Sequence, residues 1–203
     1  MIAKQYILNL SSPLNMIPWI TKFGGMTIMA ENGNGVKVPV AEEVTVPECF
    51  DTNHYKELIP DAEKKGIAYC EEVTPAVITS GVGAANNMRI SQTLRLVVWI
   101  NFPKSGFSTA DIKAFYPIHR AILGTRVTSS QFEVYVRTHA VANMKILTHE
   151  QAKAVFARYQ FESDLSALIT WPYGLHVIEF ELVGAVDPEC LPTTSGGAEI
   201  PDC

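Results

Sequence analysis

Apolar and polar side chains alternate along residues 88–102. Ile90, Leu94, Leu96, Val98, Ile100 and Phe102 hold one parity, interrupted only by Gln92, and Arg89, Ser91, Thr93, Arg95, Trp99 and Asn101 hold the other. A period of two predicts one long strand with one face on a core. From Leu96 to Ile100 both parities are apolar, so this half should be covered on both faces, by the chain itself or by a neighbour. Pro103-Lys-Ser-Gly106 ends the strand. Ser108-Thr-Ala-Asp111 then has the spacing of a capping box. Ile112, Phe115, Tyr116, His119, Ile122 and Leu123 follow at helical spacing, as a stripe that can lie back on the strand. Pro117 predicts a kink in that helix, and Gly124 a left-handed cap at its end.

Shorter patterns fill the rest of the chain. Gln5 to Leu10 reads as a short strand, followed by a connector containing Pro13 and Pro18. Residues 24–30 and 36–40 flank Glu31-Asn-Gly-Asn-Gly35, whose Asn-Gly pairs suit a hairpin turn. Pro39 confines the second arm to a sheet edge. Residues 42–72 read as a polar excursion with a short helix near 55–59, leading into a strand at 67–70. A further short strand is expected at 76–79. Residues 131–138 alternate again, with Phe132, Val134 and Val136 on one parity. Thr148-His-Glu-Gln151 is a second capping box, ahead of an amphipathic helix carrying Ala152, Val155, Phe156 and Tyr159. Residues 163–171, with Leu165, Leu168 and Ile169, are ambiguous. Leu175 to Val186 is a strand with Ile178, Phe180 and Leu182 on one face. Together these predict an α+β fold: a largely antiparallel sheet with two main helices packed on one face and a hairpin extension. Residues 1–186 would form one domain, with the hairpin and loop extension at 24–65. Residues 187–203, rich in Pro, Gly, Ser and Thr, would be a tail or arm.

Composition narrows the class. The chain has 203 residues, 47% hydrophobic and only 18% charged, with a net charge of −5. So apolar a chain is either compact or hides surface in an assembly. The acidic balance argues against a broad basic patch for nucleic acid. The four cysteines, Cys49, Cys70, Cys190 and Cys203, lie too far apart for a zinc motif and suit a reducing compartment. There is no signal-peptide pattern and no apolar run of membrane-spanning length, so a soluble protein made in a cytoplasm is expected.

Candidate chemistry is sparse. Ser80-Gly-Val-Gly-Ala-Ala lacks the Gly-Lys-Ser/Thr end of a phosphate loop. The histidines His54, His119, His139, His149 and His176 show no HxxxH or HExxH spacing, and His119 falls on the apolar stripe of its helix. Cys70 could serve as a thiol nucleophile beside a distant histidine. Glu179 and Glu181 share a strand face about 7 Å apart, a spacing open to acid–base work or to the wet face of a strand. Arg89 and Arg95 could meet such carboxylates across a subunit boundary. No catalytic, cofactor-binding or metal-binding set emerges from these residues.

The order of elements resembles the tail-terminator and neck-connector proteins of tailed bacteriophages. The resemblance rests on the short strand Pro75-Ala-Val-Ile-Thr79, the Gly-rich loop, and the long strand ending in Phe102-Pro103. The capped helix carrying Tyr116-Pro117 and the aromatic closing strand continue it, over residues 66–186. It implies a small α+β subunit that closes into a ring at the head–tail junction, without catalytic residues or a cofactor. Its partners would be copies of itself and other neck, portal or tail-tube proteins. It would have no membrane and no sequence-specific nucleic acid, though DNA could pass through the ring, and it would reside in the virion. Compact members of that family begin with a substantial helix, which Pro13 and Pro18 argue against here.

Three readings follow: such a ring subunit, a small enzyme using Cys70 or the Glu179/Glu181 pair, or a soluble binding module. For the ring, a tryptophan between polar neighbours is a natural interface anchor. The expected subunit interface is therefore Trp99, Val97 and Arg95 on the outer face of the long strand, with Ile28 and Met26 of the hairpin and Trp19. The alternative for Trp99 is packing beneath the chain's own hairpin.

Overall fold

The computed structural model describes residues 2–31, 37–42, 50–51, 54–55, 58, 60, 62–80, 88–108, 110–127, 136–159, 167 and 169–186. The phosphate-loop-like stretch 81–87, the hairpin turn 32–36, Phe132, Val134, Leu165, Leu168, Cys49, Cys190, Cys203 and the segment 187–203 lie outside them, as do the side chains of His54 and His139.

The chain opens with a helix, α1 (Ile2–Asn15), where a short strand was expected. Ile2, Ala3, Tyr6, Ile7, Leu10 and Leu14 repeat at three- and four-residue intervals and are all buried, which is the stripe a core-facing helix needs. Pro13 enters only in the last turn. There it forfeits a single backbone bond, and the helix stops two residues later. The strands are β1 (Lys22–Glu31), β2 (Lys37–Ala41), β3 (Phe50–Asp51), β4 (His54–Tyr55), β5 (Gly66–Glu72), β6 (Val77–Ser80), β7 (Met88–Asn101), β8 (Val136–Ile146) and β9 (Tyr173–Val186). Tyr55 thus sits in a two-residue ladder with Phe50 and not in the expected short helix.

Seven strands form one sheet in the order β2-β1-β5-β7-β9-β8, with β6 pairing β7 beyond the end of β5. Within this sheet β1 and β5 are parallel and every other described pair is antiparallel, so the fold is α+β. The hairpin β1–β2 stands where Asn-Gly spacing placed it, with Pro39 on the edge strand. Gly25, at φ 64°, makes the bulge that shifts the β1–β5 register between Phe23↔Ala68 and Met26↔Cys70. The centre of the sheet is the pair β7–β9, in unbroken register from Met88↔Val186 to Asn101↔Tyr173.

A short 3₁₀ turn (Ile112–Phe115) leads into α2 (Tyr116–Gly124), and α3 (His149–Phe156) precedes β9. Asp111, not Ser108, supplies the cap, accepting from the Lys113 amide at 2.8 Å. Pro117 lies in the first turn of α2, where its missing N–H costs nothing, so it does not break the helix at mid-length as expected. Gly124 is not left-handed. Thr125 closes the helix instead, with its amide and hydroxyl both donating to the Ala121 carbonyl. The Thr148/Gln151 capping box of α3 forms as the spacing predicts.

Both faces of the sheet are covered. On one, α1 and α2 pack over Leu94, Leu96, Val98, Ile100, Phe102, Ile178, Phe180 and Leu182. Two helices do share a face, but they are α1 and α2. On the other face α3 packs over Val97, Trp99, Ile67, Tyr69 and Val177, with Leu58 and Ala41 closing the cluster. From Leu96 to Ile100, β7 is therefore buried on both sides by its own chain, as the double apolar parity requires. The stripe on α2 is rotated from the expected one. Ala114, Phe115, Ile118, Ala121 and Ile122 face the core, while Ile112, Tyr116 and Leu123 are exposed. Among the described residues no helix is long and apolar enough to cross a membrane.

Candidate functional site

The residues expected at a subunit interface are mostly inside the subunit. Trp99 is 1% exposed, stacks on Tyr173 at 5.2 Å between ring centres, and lies under α3. Val97 belongs to the same cluster, and Met26 and Trp19 are buried in the core beneath α1 and α2. Of the six, Ile28 alone keeps a large exposed side chain. The interface expectation fails for Trp99, Val97, Met26 and Trp19 because the chain supplies its own cover for both sheet faces.

Arg95 anchors an ion-pair network within the chain, not across a boundary. Its guanidinium donates to Glu179 Oε1 from Nε and Nη2, at 3.0 and 2.6 Å, and to Glu71 Oε2 from Nη1 at 3.2 Å. Cross-strand register accounts for this: Arg95 on β7 stands opposite Glu71 on β5 and Glu179 on β9. Glu71, only 5% exposed, also accepts from Arg158 and from the Tyr159 hydroxyl just past α3. Burial, with the Glu71 charge beside it, pushes the Tyr159 phenol well up, so Tyr159 acts here as a donor. Strand periodicity showed Arg95 and Glu179; Glu71, Arg158 and Tyr159 were missed, because the partners lie 24 to 88 residues apart.

The chemical candidates are placed as follows. Cys70 is fully buried, and desolvation raises its thiol far above the usual range, aided by the nearby Glu71 charge. It is held as the neutral thiol, which is a poor nucleophile. Glu179 is tied to Arg95, while Glu181 accepts from Asn143 at 2.7 Å and lies 3.8 Å from Arg89. Each carboxylate is thus engaged by its own cation or donor within the chain. His119 and His176 meet through their Nε2 atoms at 2.9 Å, with Phe115 stacked on His176. Burial, and then the neighbouring His119, lower His176 to about 4, so this pair is neutral near pH 7.

What the subunit offers outward lies at its edges. Beyond Met26, β1 leaves β5 and, among the described residues, pairs with β2 alone, and there Ile28 and Met29 expose opposite faces of the hairpin. At the same end of the sheet β6 pairs, among the described residues, only with β7, with Val77 and Ile78 exposed on its two faces. A groove between the helices α1 and α2, of about 910 Å³, has Met16, Ile17, Tyr116 and Pro117 in its lining. No family model and no curated protein matches this chain.

Proposed function

We propose that the chain is a structural ring subunit of the head–tail junction of a tailed bacteriophage, a tail terminator or neck connector. The observation that carries the reading is α1. With that helix in place, the order becomes helix, hairpin, long central strand, capped helix and closing strand. The opening helix of compact members of the resembling family is thus present, and the one departure at the start of the chain is removed.

The outer surface supports assembly by edges. With both sheet faces covered, the hairpin carrying Ile28 and Met29 and the edge of β6 left open among the described residues are available to a neighbour. An unpaired strand with apolar side chains on both faces is an adhesive edge in a monomer and a serviceable contact in an oligomer. Two different patches on one subunit make a head-to-tail contact, which closes into a ring when the rotation permits.

The test is mass in solution by light scattering, with negative-stain images of the same sample. Annular particles of uniform diameter are expected, and Ile28→Asp with Ile78→Asp should leave folded single subunits. A wild-type protein that stays a single subunit at high concentration, alone and in the presence of a tail-tube protein, counts against the reading.

A further inference from the structure

The α1–α2 groove has a cationic lining that no described carboxylate neutralises. Lys113, Arg120 and Arg126 line it, all exposed, and no acidic residue does among the described residues. Arg126 spends Nη1 on the carbonyls of Leu123 and Thr125, and no described carboxylate pairs with any of the three cations. In a chain of net charge −5, three such cations beside the exposed Met16 and Tyr116 invite an acidic, partly apolar segment.

One such segment belongs to the chain itself. Residues 187–203 hold Asp187, Glu189, Glu199 and Asp202 and no lysine, arginine or histidine. They account for four of the five net negative charges (four acids minus no bases, against −5 for the whole). Leu191 and Ile200 supply apolar contacts, each followed directly by a proline. Pro188, Pro192 and Pro201 favour an extended backbone, the form that lies in a groove between helices.

We propose that this groove is the seat of residues 187–203 of a neighbouring copy, an inference that rests on the ring reading and names one of its contacts. Geometry favours the neighbour. The segment leaves β9 at Val186, opposite Met88, whereas Tyr6, bonded to Ile122 near the end of α2, packs on Phe180, six residues back along β9, and Phe115 at the head of α2 stacks on His176, ten back. Six to ten strand residues span roughly 20–33 Å, so a chain returning to its own groove spends a third to over half of its length retracing the sheet. A neighbour placed end-on meets no such cost.

The experiment uses two full-length variants. In the first, the rim is reversed (K113E, R120E, R126E); in the second, the segment is reversed (D187K, E189K, E199K, D202K). The three rim positions are exposed and the other four follow the last strand, so circular dichroism should match the wild type. Each variant alone should sediment as single subunits or small species where the wild type forms rings. An equimolar mixture should regain the wild-type mass, because each variant then complements the other. Assembly of either variant alone like the wild type, or a mixture no heavier than its components, overturns the proposal. The latter outcome also covers a segment that folds back on its own groove. A wild type that is itself a single subunit removes the ring reading and this contact together, whereas wild-type rings with unaffected variants remove this contact alone.

Discussion

Arg95 holds one oxygen of Glu179 from two sides, Nε at 3.0 Å and Nη2 at 2.6 Å, while its remaining nitrogen turns to Glu71. The side chain is 14% exposed, so this is a largely desolvated cation. Arg95→Met should cost about 3 kcal/mol, because it leaves Glu179 and the buried Glu71 short of their shared cation. Arg158 and Tyr159 still hold Glu71, which keeps the cost at the lower end for a broken buried pair. Urea unfolding measures it, and a loss below about 1 kcal/mol, the range of exposed pairs, would mean the network is solvated.

Trp99 belongs to the interior of the subunit, and its truncation should be a stability mutation. Trp99→Ala should cost about 3–5 kcal/mol through the cavity left between Val97, Phe156 and Tyr173. Any loss of rings should then track loss of folded protein. A Trp99→Ala protein with wild-type stability but no rings would place this side chain back at a subunit boundary.

Tyr6 ties α1 to the end of α2, its hydroxyl donating to the Ile122 carbonyl at 2.7 Å inside the core. Tyr6→Phe keeps the ring against Phe180 and removes only the donor, orphaning a buried carbonyl. The expected loss is about 1–3 kcal/mol. Thermal unfolding of the variant beside the wild type measures it, and equal melting temperatures would mean that water replaces the hydroxyl.

The long strand and the buried half of its pattern were legible in the sequence because alternation sustained over fourteen residues suits a strand and no helix. So were the hairpin and the capping box of α3, whose signals are local. α1 was not. Its apolar spacing was present, but Pro13 and Pro18 weigh as breakers when their position relative to the helix end is unknown. Trp99 was misjudged through its neighbours. Arg95 and Asn101 look like surface residues, yet both are satisfied from afar, Arg95 by Glu179 and Asn101 by the Ala62 carbonyl at 3.0 Å. Which sheet face a helix takes is likewise absent from its amphipathic pattern, so α3 could not be assigned to the far side. The α1–α2 groove depends on that unforeseen helix and had no local signal.

His176 should make stability depend on acidity. The unfolded chain takes up this proton near pH 6.5 and the folded chain only near 4. The folded state therefore binds fewer protons between those values, and stability rises with pH across them. The contribution is complete above about pH 6.5 and is lost as pH falls towards 4, by up to about 3 kcal/mol. His176→Gln should flatten this part of the curve. Chemical denaturation of both proteins at several pH values measures the difference, and a difference that stays constant from pH 7 to 4 contradicts the assignment.

The unbroken pairing of β7 with β9 has a mechanical consequence. The two strands run side by side through fourteen residue pairs with no bulge. A pull along the strand axis loads every rung of that ladder in shear at once, whereas a pull across it peels rungs singly. The chain's exposed edges, on the hairpin and β6, sit at one end of the sheet, and α1, α2 and α3 brace its middle. Traction applied to β7 along its own axis against β9 is therefore resisted by all fourteen pairs together.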